Sequence, residues 1–425
     1  MSEHREHEEQ PIIDPSLFRG LTEPRMTRRD LLRYAGMGAG AFGLSAFLAA
    51  CGTSGVSTGT GGTASPTPGA IGSAQWWAKQ KPTTTLNFAN WPYYIDVSHG
   101  KHPSLDLFTK QTGIAVNYYE VIQNNVPFFA KIRPSLEAKQ YTGYDLVVMT
   151  NNSPPLGELM ELGWLTPLDQ SKMTNFYKNA GPLVKNPAWD PGNKYTMAWQ
   201  SGWTALAYNT DVIKGPIDSV QSLFDPKYAG KVGMMNDPQE LGSLGLLATG
   251  VDPVHSTPAE WQKAAAKLEA QKKAGIVRQY YDQSYINALT NGDTVISMCW
   301  SGDIFQANLN GHKNLKMVLP KEGAMFWTDN MCIPMYSQNS VSAMTYMDFV
   351  YQPSVEGMIE DYVNYVCPVP SASEYILNVI KDPTVANSPF VFPTAQATAL
   401  SRPYYQYKNQ NELNEWNNLF VPITQ

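Results

Sequence analysis

The chain is 425 residues long and 43% hydrophobic, which excludes a disordered protein and leaves room for two or three domains. Charged residues make up 16% and aromatics 12%, including 11 Trp and 23 Tyr, and the formal net charge is −6. That balance argues against nucleic acid as the main partner, because phosphate binding needs a basic face, and it suits a neutral or cationic ligand.

Residues 1–26 are polar, with no hydrophobic period. Thr27-Arg28-Arg29-Asp30-Leu31-Leu32-Arg33 then precedes an uncharged Gly/Ala/Leu/Phe stretch, Tyr34 to Ala50, that is short and weakly apolar for a membrane span. Paired arginines before such a segment resemble a twin-arginine export signal, and Leu48-Ala49-Ala50-Cys51 resembles a lipobox whose cysteine is acylated. Residues 1–50 are therefore expected to be a twin-arginine lipoprotein signal peptide, and 51–84 a lipidated Cys51 with a flexible tether. The Gly/Ser/Thr/Pro run Gly52 to Ala74 carries the tether expectation; a coil of that size reaches roughly 25–30 Å. Two catalytic-looking strings fall in this region. Gly38–Gly43 fits GxGxxG and Gly55–Gly59 fits GxSxG, but neither has the strand before it and the helix after it that the chemistry requires.

From Thr85 the pattern alternates. Strands are expected at Thr85–Asn90, Ile114–Val121 and Tyr144–Met149, separated by helices at Ser104–Gln111 (stopped by Gly113), Phe128–Lys139 and Leu156–Leu162. A second series has strands near Thr204–Asn209, Lys231–Met235, Ile276–Tyr280, Thr294–Trp300, Leu315–Leu319 and Met331–Pro334. Its long helix opens at Thr257-Pro258-Ala259-Glu260 with a capping box and Pro at the first position, and runs to about Lys273. Further helices are expected near Tyr285–Asn291, Ile304–Asn310, Val341–Tyr351 and Val355–Val363. Two α/β series of similar size predict an α/β fold of two lobes, with ligands gathering at strand C-termini.

Beyond Cys51 only Cys299, Cys332 and Cys367 remain, an odd number that excludes a complete disulfide framework and leaves one bridge open. His99 and His102 are three apart but lie in a Gly/Pro-flanked loop without further ligands, so no metal site and no cofactor is expected. No nucleophile motif survives, so no catalytic residues are assigned.

Aromatic and acidic clusters fall where strands end or begin: Asn90-Trp91-Pro92-Tyr93-Tyr94, Asn236-Asp237-Pro238-Gln239-Glu240, Cys299-Trp300-Ser301-Gly302-Asp303, Glu322–Asp329 and Asn364-Tyr365-Val366-Cys367-Pro368. From about Leu86 to Pro370 the chain resembles the bacterial spermidine/putrescine-binding proteins of ABC importers, most tellingly in the strings Asn90–Tyr94, Tyr144–Val148, Leu223–Val232 and Glu322–Pro334 taken in order. The resemblance implies a two-lobed periplasmic-binding-protein fold (type II-like) with hinge crossings and a central cleft. Lobe 1 would be 85–200 plus 328–370, and lobe 2 would be 201–327 plus 371–425. The family's aromatic wall would fall on Trp91, Tyr94, Trp300, Trp327 and Tyr365, and its amine-binding acids on Asp237, Glu240 and Asp329. In the turn after the third strand, Thr150 keeps the family's hydroxyl but Asn152 replaces its tyrosine, so one face of the amine is expected to be hydrogen-bonded rather than stacked. Gln406, in the C-terminal Tyr404–Tyr407 run, matches the family's amide ligand too loosely for transfer.

The chemistry of the residues supports the same reading. Rings and carboxylates together replace the water that a desolvated cation loses. Two bland alternatives stand beside it: Trp300 and Trp327 as core aromatics, and Asp237 as a helix N-cap. The expected partners are a polyamine or related small cation, an ABC permease and, through the lipid anchor, the outer face of a membrane. The protein is expected to act as a monomer, exported and outside the cytoplasm. The rivals are another organic cation or amino-acid-like amine in the same fold, and an exported enzyme.

Overall fold

The computed structural model describes residues 70–425 apart from Ser153 and Gln283. The expected export signal, Cys51, the two glycine strings and most of the expected tether lie outside the described residues. Where the tether was expected to continue to residue 84, the chain is already docked: Ser73 caps a helical turn at Ala74–Trp77, and the Trp77 indole donates to the Pro167 carbonyl at 3.0 Å.

The strands, in chain order, are β1 (Thr85–Asn90), β2 (Ala115–Glu120), β3 (Leu146–Thr150), β4 (Thr196–Asn209), β5 (Val232–Met235), β6 (Val277–Tyr281), β7 (Ile296–Trp300), β8 (Leu315–Val318), β9 (Ala324–Cys332) and β10 (Ser401–Arg402). The principal helices are α1 (Pro103–Thr112), α2 (Asn125–Glu137), α3 (Pro154–Glu161), α4 (Pro238–Ala248), α5 (Pro258–Lys273), α6 (Tyr285–Thr290), α7 (Ser301–Leu309), α8 (Ser340–Phe349), α9 (Pro353–Val363) and α10 (Gln410–Phe420). Local chemistry sets their ends. Gly113 stops α1 at φ 73°, a left-handed value that glycine adopts without strain. The expected box opens α5, with Glu260 Oε2 accepting the Thr257 N–H at 2.8 Å.

The strands join one mixed sheet in the order β2-β1-β3-β9-β4-β7-β5-β6, with β10 beside β9 and β8 beside β4. Two parallel triads, β2-β1-β3 and β7-β5-β6, flank the antiparallel pair β9/β4. Each triad has its own core. Phe88, Leu146, Met197, Trp199, Met331 and Tyr346 belong to the first. Trp203, Leu206, Met234, Met298, Met325 and Trp416 belong to the second. The pair β4 and β9 therefore passes from one core to the other between Trp199 and Trp203 and between Trp327 and Met331. At the crossing the buried side chains turn polar, comprising Gln200, Ser201, Thr328, Asp329 and Asn330.

Both crossing strands are longer than sequence patterning predicts. β4 starts at Thr196 rather than Thr204, and β9 starts at Ala324 rather than Met331. Every residue of each is buried, so neither shows the alternation that marks a strand with one wet face. The last segment is also divided. Ala372, Ile376, Val385 and Val391 join the first core, while Ala397, Tyr404 and Trp416 join the second, so the chain changes sides some twenty residues beyond the expected position 371. The pattern did not single out α10; its Trp416 and Phe420 lie over Gly242 of α4, where an added Cβ would meet Trp416 Cζ2 at 2.3 Å.

Candidate functional site

Sheet register brings the two triads' C-terminal ends together. Thr150, the last residue of β3, pairs with Asp329, which itself pairs with Gln200. Trp300, the last residue of β7, pairs with Thr204, and Gly202 between them pairs with Trp327. β3 and β7 thus end within four residues of each other along β4, so the loops after them face one crevice.

Asp329 is the centre of the first half. Its Oδ1 accepts the Thr150 hydroxyl at 2.6 Å and its Oδ2 accepts the Tyr94 hydroxyl at 2.7 Å. Asn125 fixes Thr150 in turn, donating to its Oγ1 at 2.9 Å. Burial raises the Asp329 carboxyl to about 6, against the two hydroxyls, which pull it down. Burial first, and Asp329 second, push the Tyr94 phenol well up, so that side chain is a donor throughout the ordinary pH range.

An aromatic wall leads away from this carboxylate. The Tyr94 and Tyr365 rings meet edge-on at 5.8 Å, and Tyr365 meets Trp327 at 5.3 Å. Two glycines admit these rings. A Cβ on Gly202 would lie 2.4 Å from Trp327 Cζ2, and one on Gly302 would lie 2.5 Å from Tyr365 Cε1. Trp327 is 7% exposed, and its indole N–H has no partner.

Glu240 is the centre of the second half. Asn152, just beyond β3, donates to its Oε1 at 3.0 Å, and Tyr404 donates to its Oε2 at 2.7 Å. Burial, with Asp237 next in effect, raises this carboxyl to about 8, opposed by hydrogen bonds from Tyr404, Thr204 and Trp300. Asp237 caps α4: its Oδ1 accepts the N–H groups of Gln239 at 2.8 Å and Glu240 at 3.0 Å. Both bonds go to the same oxygen, and Asp237 lies at an exposed position of the chain. Trp300 is half-buried; its backbone N–H donates to the Tyr285 hydroxyl at 2.9 Å, and Tyr285 donates to Asp303 at 2.7 Å.

Nine of the ten expected ligand-binding residues thus form one connected constellation: Tyr94, Thr150, Asn152, Asp237, Glu240, Trp300, Trp327, Asp329 and Tyr365. Trp91 follows β1 with its indole N–H buried and unpartnered, and it packs against the first core, to which Tyr94 belongs. Three residues enter that were not among the expected ligand-binding residues, although Asp303 stood in the Cys299–Asp303 cluster. Tyr404 holds Glu240, Asp303 holds Tyr285 and lies 3.4 Å from the Tyr365 hydroxyl, and Gly202 makes room for Trp327. The Tyr404–Tyr407 run was the available signal for the first. Gln406 beside it turns back to donate to the Tyr404 carbonyl at 3.2 Å.

Asp329, Glu240 and Trp327 are all nearly inaccessible, so the constellation is closed upon its own side chains. A ligand must separate the halves or displace these internal hydrogen bonds to reach the carboxylates.

Residues 104–389 match the family model described as bacterial extracellular solute-binding protein. The spermidine/putrescine-binding periplasmic protein of Salmonella typhimurium is 29% identical over 352 residues, covering 80% of this chain and 95% of its own. The putrescine-binding periplasmic protein PotF of Escherichia coli is 29% identical over 340 residues, covering 76% and 86%. Among solved structures, a spermidine/putrescine ABC transporter substrate-binding protein from Streptococcus pneumoniae superposes with a TM-score of 0.69 at 23% identity, covering 80% of this chain and 98% of its own.

Proposed function

The chain belongs to the bacterial extracellular solute-binding proteins, and we propose that it captures a polyamine of the putrescine/spermidine type for an ABC importer. The observation that carries this reading is Asp329, a buried carboxylate held by two hydroxyls at the foot of a Tyr94–Tyr365–Trp327 wall, with a second acidic group beyond it. An alkyl polyamine is a string of ammonium groups spaced by methylenes. In the proposed mode Asp329 meets one ammonium, the rings cover the methylenes, and Asp237 with Glu240 meets the distal ammonium. A cation over Trp or Tyr gains about 0.5–2 kcal/mol and a charge-assisted hydrogen bond about 1.5–3 kcal/mol. Two or three acids and four rings therefore suffice for micromolar binding, about −8 kcal/mol, after ordering costs.

In this reading the first-core segments, together with residues 372–391, form one lobe. The second-core segments form the other, and β4 and β9 form the hinge. Export through the twin-arginine signal and anchoring through an acylated Cys51 would hold a monomeric receptor outside the cytoplasm, beside its permease. Residues 27–51 support that placement.

Isothermal calorimetry of residues 51–425 with putrescine, spermidine and spermine tests the function. Saturable heat with one of them is the expected result, and no heat from any at millimolar concentration overturns it. One observation favours a second ligand class. The Trp327 N–H and the Asn151 side-chain N–H are buried donors without acceptors, and an ammonium offers none. An amine that also carries a carboxylate would satisfy them, and tighter binding of a terminal amino acid than of putrescine would select this class.

A further inference from the structure

A second group of acids lies on α9, near enough for Glu360 to act on Tyr94. Glu356 and Glu360 are four residues apart on one helix face, 1% and 0% exposed. Asn364 ends the helix in a left-handed turn at φ 59°, and Val366 then bridges to Ser201 of β4. That reversal returns Cys367 to the helix, and ligand atoms of Glu356, Glu360 and Cys367 all lie within 4.8 Å of one another.

The group is incomplete as a protein-only network. Both Glu360 oxygens lack a hydrogen-bond partner within range, although the Tyr365 N–H and the Gln200 amide lean toward them and offset part of the desolvation. Gln200 is fully buried and donates to Glu356 Oε1 at 2.9 Å, yet its own Oε1 is unpartnered. Among the described residues, no ion pair includes Glu356 or Glu360. A Glu360 carboxyl left in this state beside Glu356 either keeps its proton or awaits a cation, because an unpaired buried carboxylate costs several kcal/mol.

The donor set selects among cations. Calcium and magnesium want oxygen alone, whereas a thiolate with two carboxylates suits a borderline ion of the zinc class at four-coordination. A cavity of about 90 Å³ on this side of the helix is lined by Leu183, Val366, Cys367, Pro368 and Phe392. The Cys367 thiol now donates to the Val369 carbonyl at 3.2 Å, and coordination would release that proton to solvent.

We propose that Glu356, Glu360 and Cys367 bind one divalent cation of the zinc class, with the fourth position left to a water. Neither His99 nor His102 belongs to this group, so a search for histidine spacing could not find it. The inference does not depend on the polyamine reading.

The test is metal binding by the full-length protein, using Zn²⁺ for stoichiometry and Co²⁺ for spectroscopy. One equivalent of Zn²⁺ retained after dialysis and a near-ultraviolet thiolate-to-Co²⁺ charge-transfer band are expected. Cys367→Ser should abolish the band, and Glu360→Gln should weaken Zn²⁺ at least tenfold. A wild-type Co²⁺ spectrum without that band overturns the proposal without recourse to any variant, and leaves a neutral, protonated acid pair. A band that survives in Cys367→Ser belongs to another thiol and overturns it equally.

Discussion

Thr150 and Asp329 face each other across the β3/β9 pair, and the threonine hydroxyl donates to Asp329 Oδ1 at 2.6 Å. Because a strand register and not a loop sets this contact, the carboxylate's position is fixed before any ligand arrives. Asp329→Asn keeps the shape but removes the charge, and should weaken polyamine binding tenfold or more by calorimetry. Thr150→Val keeps the charge but removes one donor, at a cost of about 1 kcal/mol, or roughly fivefold in affinity. Equal affinity of Asp329→Asn and wild type would show that this carboxylate does not meet an ammonium.

Acidity should tune both binding and stability. Burial lifts Asp329 to about 6 and Glu240 to about 8, whereas unfolded Asp and Glu titrate near 3.9 and 4.3. Between these values the folded protein holds more protons than the unfolded chain, so the two groups make stability fall as pH rises from about 4 to about 8. Asp329→Asn and Glu240→Gln should each flatten that slope in ligand-free melting curves. Binding runs the other way. An ammonium, with a pKa near that of lysine, stays charged across this window and favours the ionised carboxylate. Affinity should therefore rise from pH 5 to pH 8, with proton release visible as a binding heat that changes with the buffer's ionisation enthalpy. A pH-independent affinity over that range would contradict ligation by these two acids.

Much of this was legible in the sequence, and the exceptions have physical causes. β1, β3, β5 and β7 announced themselves by short apolar runs bounded by turn residues, so the residues at their C-termini could be nominated. The halves of β4 and β9 that carry Gln200, Asp329 and Asn330 did not. There the strands leave one core for another, and polar residues are buried because they bond to each other, as Ser201 and Thr328 do at 2.9 Å. A one-dimensional pattern registers such a segment as a loop. Tyr404 escaped for another reason: it meets Glu240 from 164 residues away, and no local spacing encodes that pairing.

Gly202 gives a steric test of the wall. The Trp327 indole lies where a side chain at 202 would begin, with 2.4 Å between the added Cβ and Cζ2. Gly202→Ala must move the ring or the strand, and overpacking of this kind costs about 1–3 kcal/mol. Chemical denaturation should show the stability loss, and ligand affinity should fall with it if the ring covers the methylenes. Lost stability with intact affinity would make Trp327 a core residue only.

Asn152 and Tyr404 hold the same carboxylate from different directions, and this separates closure from proton affinity. Asn152 follows β3 of the first triad, so its 3.0 Å bond to Glu240 spans the crevice. Tyr404 sits in the same core as α4, which carries Glu240, so its bond stays on one side. Asn152→Ala should therefore loosen the closed form by about 0.5–1.5 kcal/mol, a severalfold shift toward open molecules, seen as a larger ligand-free scattering radius. Tyr404→Phe should leave that radius alone but remove a donor that stabilises the ionised acid, raising Glu240 further above about 8 and moving the pH profile of binding upward. If Tyr404→Phe opens the protein and Asn152→Ala does not, the crevice is bridged elsewhere and Glu240 is an interior acid of the second core.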